Sequence, residues 1–159
     1  MILTENALPI VGKRLSETPL ELLRLKKIAT LDYYDGPLTS LFEDPETHDL
    51  YIYKWCDVGE NHHRWLIFRT TFGRFMRFKQ LQQSFLDFIY DASDQEYFLA
   101  DLRVDDDDTV HFDYCYRATA DQLPDDYLPG AEADFSYLTL LEESEKRLNG
   151  FLEKCRLIN

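Results

Sequence analysis

The sequence predicts an α+β fold: an antiparallel sheet of about five strands, a short helical pair inserted between strands three and four, and a C-terminal helix. Three observations carry this. Aromatic and β-branched residues alternate with a period of two over 27–34, 49–57, 64–70, 96–103 and 110–117. Turn-forming residues separate the runs. After Thr71, and again near the C-terminus, the period changes to about 3.6, as on a helix face. At 159 residues the chain fits one domain, 1–159, with residues 1–17 as an N-terminal extension broken by Pro9 and Gly12.

The elements follow in order. Thr18-Pro19-Leu20-Glu21 is a helix start, with Thr18 as cap, Pro19 at the first helical position and Glu21 closing a capping box. Leu20, Leu23 and Leu25 are the expected contacts of this short helix. Asp35-Gly36-Pro37 ends the first strand, because Gly tolerates positive φ and Pro fixes its own. Residues 38–43 offer a further, shorter strand before the Asp44-Pro45 turn. In 50–57, Tyr51, Tyr53 and Trp55 point one way, and Leu50, Ile52, Lys54 and Cys56 the other. In 64–70, Trp65 and Ile67 oppose Leu66 and Phe68, so this strand is covered on both faces.

Gly73–Gln82 forms a helix, and Ser84 caps a second one that runs to about Ala92 and buries Phe85, Phe88 and Ile89. In the last strand Val110, Phe112, Tyr114 and Tyr116 alternate with His111, Asp113, Cys115 and Arg117, a pattern with one solvent-facing side. Residues 118–135 form an ordered loop. Tyr137, Leu141, Leu148, Phe151, Leu152 and Cys155 recur at helical spacing over 136–155. The expected core includes Trp55, Trp65, Phe68, Phe85, Phe112 and Leu148.

The run Y-Y-D-G-P-L at Tyr33–Leu38, with the strands D-L-Y-I-Y-K-W-C-D and R-W-L-I-F-R-T, resembles a bacterial family of small domains of unknown function. Its pattern is a Tyr-Asp-Gly-Pro turn, two aromatic strands, a helical pair and a β-hairpin. The resemblance covers about residues 28–129. It departs from the pattern at Thr39 and Ser40, where an apolar strand residue is more usual. It implies the fold and no activity, cofactor or catalytic residue.

Charge is distributed unevenly. The net charge is −13, yet residues 61–86 carry five bases (Arg64, Arg69, Arg74, Arg77, Lys79) and no acid. Residues 87–134 carry 15 acids against Arg103 and Arg117. Such a block disfavours binding to nucleic acid or anionic lipid. No apolar run reaches the roughly 18 residues of a membrane helix. The three cysteines, Cys56, Cys115 and Cys155, form no C-x-x-C pair. Reduced thiols in a cytoplasmic protein are the expectation.

Candidate chemistry is sparse. Asp32, Asp35 and Asp57 suggest a Mg²⁺ nuclease, but the Glu-x-Lys strand such a site needs is missing before Lys54. Asp105–Asp108 lack the Gly and distal Glu of a calcium loop. His62 and His63 have no partner ligands at zinc spacing. Cys56 with His63 is a conceivable nucleophile pair that nothing in the sequence orients. The aromatics of the basic block fall at core spacing rather than as a stacking platform for single strands; its arginines are expected to pair with the acidic block, in the same chain or in a symmetric copy.

No catalytic, cofactor-binding or metal-binding residue is therefore assigned, and no cofactor. The expected function is that of a non-catalytic acidic interaction or accessory protein. Its partner-binding residues are Asp105, Asp106, Asp107, Asp108, Asp125 and Asp126, on a hairpin tip and the loop after it. The partner is a basic protein or a self-associated copy, with no direct nucleic-acid binding and no membrane. The alternative is an enzyme or small-ligand protein with an unrecognised pocket.

Overall fold

A computed structural model describes residues 12–14, 20–58, 63–104 and 110–158. The fold is α+β. Seven strands form one antiparallel sheet: β1 (Gly12–Arg14), β2 (Lys26–Tyr33), β3 (Pro37–Glu43), β4 (Leu50–Val58), β5 (His63–Thr70), β6 (Tyr97–Val104) and β7 (Val110–Ala118). Their spatial order is β1-β7-β6-β5-β4-β3-β2. From β2 to β7 every neighbour in space is a neighbour in sequence, so each pairing is a local meander step. Two strands add to the five main ones, and the shorter strand offered at 38–43 is one of them. Gly12–Arg14 lies within the presumed extension and pairs with Tyr114–Tyr116 at one edge. Pro37–Glu43 is a full strand between β2 and β4. The polar Thr39 and Ser40 on it are buried, which local composition disguised.

The one long connection within the meander carries α2 (Phe72–Lys79) and α3 (Phe85–Tyr90). Each starts where a hydroxyl satisfies an otherwise orphaned amide: Arg74 N–H donates to Thr71 Oγ1 and Asp87 N–H to Ser84 Oγ. Their aromatic faces then pack on the sheet. Phe78 stacks on Phe88 with ring centroids 4.4 Å apart, and Phe68 of β5 meets Phe88 edge-on at 5.4 Å. Leu41, Ile52, Leu66 and Leu99 complete this core from the strands, and Leu148 and Leu152 from α4 (Glu142–Ile158).

The opposite face is also apolar. Phe42, Tyr51, Tyr53, Trp65, Ile67 and Phe98 are buried there, with Leu22 of α1 (Leu20–Leu23) among them. The two-faced pattern of β4 and β5 is thus realised. Leu23, expected inward, is 51 % exposed, and Leu22 takes its place. Thr18 lies outside the described residues. Trp55 is only half-buried, at the rim of this second face.

Two further expectations are corrected. β7 does not keep strict alternation. A register shift places Leu102 opposite Phe112 and Asp101 opposite Tyr114. The bulged residue flips the pattern, so Phe112 and Cys115 share the second face while Tyr114 and Tyr116 turn to the helix side. The C-terminal helix begins at Glu142 rather than 136, after a 3-10 turn at Phe135–Tyr137. Tyr137 and Leu141 therefore lie outside it and are exposed. The outer edge strand, β2, has three register irregularities and is thereby blunted against pairing with a further strand.

Candidate functional site

The basic block is consumed inside the chain. Arg69 lies 3.4 Å from both Asp49 and Asp94, and Arg77 lies 2.8 Å from Asp91, which Arg74 also approaches at 3.5 Å. Lys79 sits over the Phe135 ring. Arg64 is the exception in depth: it is buried on the helix side of the sheet, bonded to Asp101 through Nε–Oδ1 at 2.5 Å and Nη2–Oδ2 at 2.6 Å. The aromatics between these bases (Trp65, Phe68, Phe75, Phe78) are core residues.

Around Arg64 lies a buried polar cluster. Asp57 is its cross-strand partner on β4, and a bulge after Trp55 turns Asp57 to the same side. The Arg64 guanidinium lies 4.9 Å from the Tyr116 ring centroid. Tyr127 closes the cluster from the loop above. Burial pushes its phenol up, and the neighbouring Arg64 charge works against that rise. Lys54 Nζ donates to the Tyr127 carbonyl at 2.8 Å, so the loop is held by both its backbone and its ring.

Cys56 lies in the same region, and burial pushes its thiol up to about 11. A thiol so protonated at neutral pH is a poor nucleophile. His63 cannot activate it. His63 Nδ1 accepts from Trp55 Nε1 at 2.9 Å, and Trp55 belongs to the opposite face of the sheet. The Cys56–His63 pair is therefore not assembled. Asp32, Asp35 and Asp57 do not converge either. Asp32 accepts from Thr139 N–H at 2.8 Å, Asp57 accepts from Val58 N–H, and Asp35 sits exposed in the turn. Among the described residues no three His, Cys, Asp or Glu side chains group as metal ligands. His62 lies outside the described residues.

The loop after β7 determines where the remaining acids go. It passes through 3-10 turns at Ala120–Gln122 and Asp125–Tyr127. From the Ala118 end of the sheet it returns along the helix side until Tyr127 reaches Lys54. It continues to Thr139, whose carbonyl accepts from Tyr33 N–H at 2.9 Å. Asp32 pairs with Thr39, and Thr39 with Lys54, so Tyr127 and Thr139 lie along one row of the sheet. This row crosses the middle of β4 at Lys54 and continues through Leu66 to Leu99, near the start of β6. Asp121, Asp125, Asp126 and Glu132 are exposed on the loop. Asp134 instead caps the next turn, accepting from Ser136 N–H at 2.9 Å. Asp105–Asp108 lie outside the described residues.

The sequence could not reveal the Arg64 cluster, because its members come from β4, β5, β6, β7 and the loop. The one local signal was an arginine opening an otherwise apolar strand. Elsewhere, an open groove of about 540 Å³ lies between α2 and α3, lined by Arg77, Gln82, Gln83, Asp87, Tyr90 and Asp91. It places no nucleophile beside a base. Among the described residues no helix is long and apolar enough to cross a membrane.

The class defined by these features is an α+β domain built on a seven-stranded antiparallel sheet, six of whose strands form a meander, with an acidic loop laid over a buried arginine cluster. No family model, no curated protein and no solved structure matches the chain.

Proposed function

We propose that the protein is a non-catalytic interaction or accessory protein of the cytoplasm that captures a basic protein partner through its acidic face. The observation that carries this reading is an asymmetry of pairing. Arg64, Arg69, Arg74, Arg77 and Arg117 each have a carboxylate partner in the chain. Asp125, Asp126 and Glu132 are exposed, and no cation lies within ion-pair distance of them among the described residues. The arginines of β5, α2 and β7 named here are thus neutralised within the chain, while these loop carboxylates face outward, where self-repulsion favours a cationic partner.

The loop supports the further expectation that Asp125 and Asp126 share a face with Asp105–Asp108. Tyr127 lies beside Arg64, whose partner Asp101 is three residues, about 10 Å, from the end of β6. Suitable partners are basic proteins whose own ligand is an anion: a nuclease, a toxin or a DNA-binding protein. The protein itself binds no nucleic acid, since its basic block is internally paired. The alternative, a small-ligand protein, has the α2–α3 groove as its support.

The test is a pull-down from the source cell with the native chain beside a variant carrying Asn at 105–108, 125 and 126. Basic proteins should be recovered by the native chain and lost by the variant, and the difference should shrink as salt rises. Equal recovery of every protein by both forms returns the acids to a solubilising role.

A further inference from the structure

Eight large apolar side chains are exposed among the described residues. Four of them, Tyr33, Tyr34, Tyr137 and Leu141, lie within two residues of one backbone hydrogen bond, from Tyr33 N–H to Thr139 O. Tyr34 is 80 % and Tyr137 60 % exposed. Neither ring is needed to fill the core, so the fold does not explain either. Tyr34 stands on a turn whose backbone leaves little freedom: Asp35 has φ 54° and Gly36 φ 136°, with Tyr34 N–H donating to Gly36 O at 3.0 Å. The Thr139 segment is held a second time from β2, its N–H donating to Asp32 Oδ1 at 2.8 Å. Exposed tyrosines on pinned backbone have little entropy left to lose on binding and are common interface anchors.

The electrostatic setting selects the occupant. Residues 118–145 contain eight acids and no lysine or arginine. Asp35 and Glu143, on either side of the corner, are exposed. The corner continues the acidic loop, since Asp32, which holds the Thr139 amide, pairs through Thr39 with Lys54, which binds the Tyr127 carbonyl. An aromatic face beside carboxylates suits a guanidinium, which is planar, weakly hydrated and able to stack while its edge donates to a carboxylate. An ammonium gains less from the ring.

We infer that the tyrosine corner of Tyr33, Tyr34 and Tyr137 is the aromatic anchor of the acidic face and docks arginine side chains of a basic protein partner. This rests on the function proposed above and adds two things to it: a second patch on the same surface, and arginine over lysine as the chemistry recognised.

The probes are two fluorescent peptides of equal charge, oligo-arginine and oligo-lysine, titrated by anisotropy at about 0.15 M salt. The native chain should bind the arginine peptide about fivefold more tightly than the lysine peptide, the gain expected of one or two exposed cation–ring contacts. Tyr34→Ala with Tyr137→Ala should abolish that preference and leave lysine-peptide binding unchanged. Tyr34→Phe with Tyr137→Phe should keep it. Thermal melts of all variants should coincide with native, given the exposure of both rings. Asp125→Asn with Asp126→Asn should weaken both peptides alike. Equal affinity of the native chain for the two peptides, or a preference that survives loss of both rings, overturns the tyrosine corner and leaves the acidic reading standing. Failure of the native chain to bind either peptide overturns both.

Discussion

Arg64 of β5 and Asp101 of β6 are cross-strand neighbours that form a bidentate ion pair with side chains only 1 % and 4 % exposed. Such a pair offsets the cost of its own burial but leaves each partner dependent on the other. Asp101→Asn should therefore destabilise the fold by about 3–5 kcal/mol, because the guanidinium stays buried without its counter-charge. Replacing both partners with leucine should restore most of that loss. Urea melts of the three forms check this; a loss below about 1 kcal/mol for Asp101→Asn would mean that the pair is dispensable.

The aromatic layer under α2 and α3 gives a second expectation. Phe85 is buried, 5.1 Å from Phe78 between ring centroids. Its amide donates to Ala133 O, so the residue also ties the acidic loop to α3. Phe85→Ala should cost about 3–5 kcal/mol in denaturant melts, through lost burial and the cavity left behind. A cost under about 1 kcal/mol would contradict its place in the core.

Acid stability should depend on Asp44. Arg24 donates to this buried carboxylate from Nε and Nη2, and the pair holds its pKa down from the usual 3.8 to about 2. The native value lies below the unfolded one. The contribution to stability is therefore complete above about pH 4 and lost as pH falls through about 2. Asp44→Asn should flatten the pH dependence of the urea midpoint in that window. A slope identical to native there would place the acid sensitivity elsewhere.

Gly150 is an exposed glycine within α4, and a Cβ built there meets nothing within 4 Å. Gly150→Ala should stabilise the protein by about 1 kcal/mol, because alanine loses less backbone entropy in a helix. A calorimetric melt suffices. Unchanged or reduced stability would contradict the open space around a Cβ at this position.

The sequence by itself determined what depends on neighbours along the chain. The two faces of β4 and β5 follow from alternation at Tyr51–Trp55 and Trp65–Phe68. The split between α2 and α3 follows from Ser84, a hydroxyl placed to cap. Tertiary structure decided whatever depends on a partner across the sheet. A single register shift at Asp101 and Leu102 reverses the facing of Phe112, which no periodicity along β7 could report. Gly12–Arg14 becomes a strand because β7 offers an open edge, not because its residues favour one. Arg64 is buried because Asp101, Asp57 and Tyr127 arrive from three other segments. Tyr137 and Leu141 fit the apolar spacing of α4, yet the bond from Tyr33 to Thr139 holds their segment beside β2 and outside the helix. Periodicity encodes the tendency of a side chain to face inward. Which inward position exists is set by the chain that covers it, and here that chain is often more than 60 residues away, as Tyr127 is from Lys54 and Arg64.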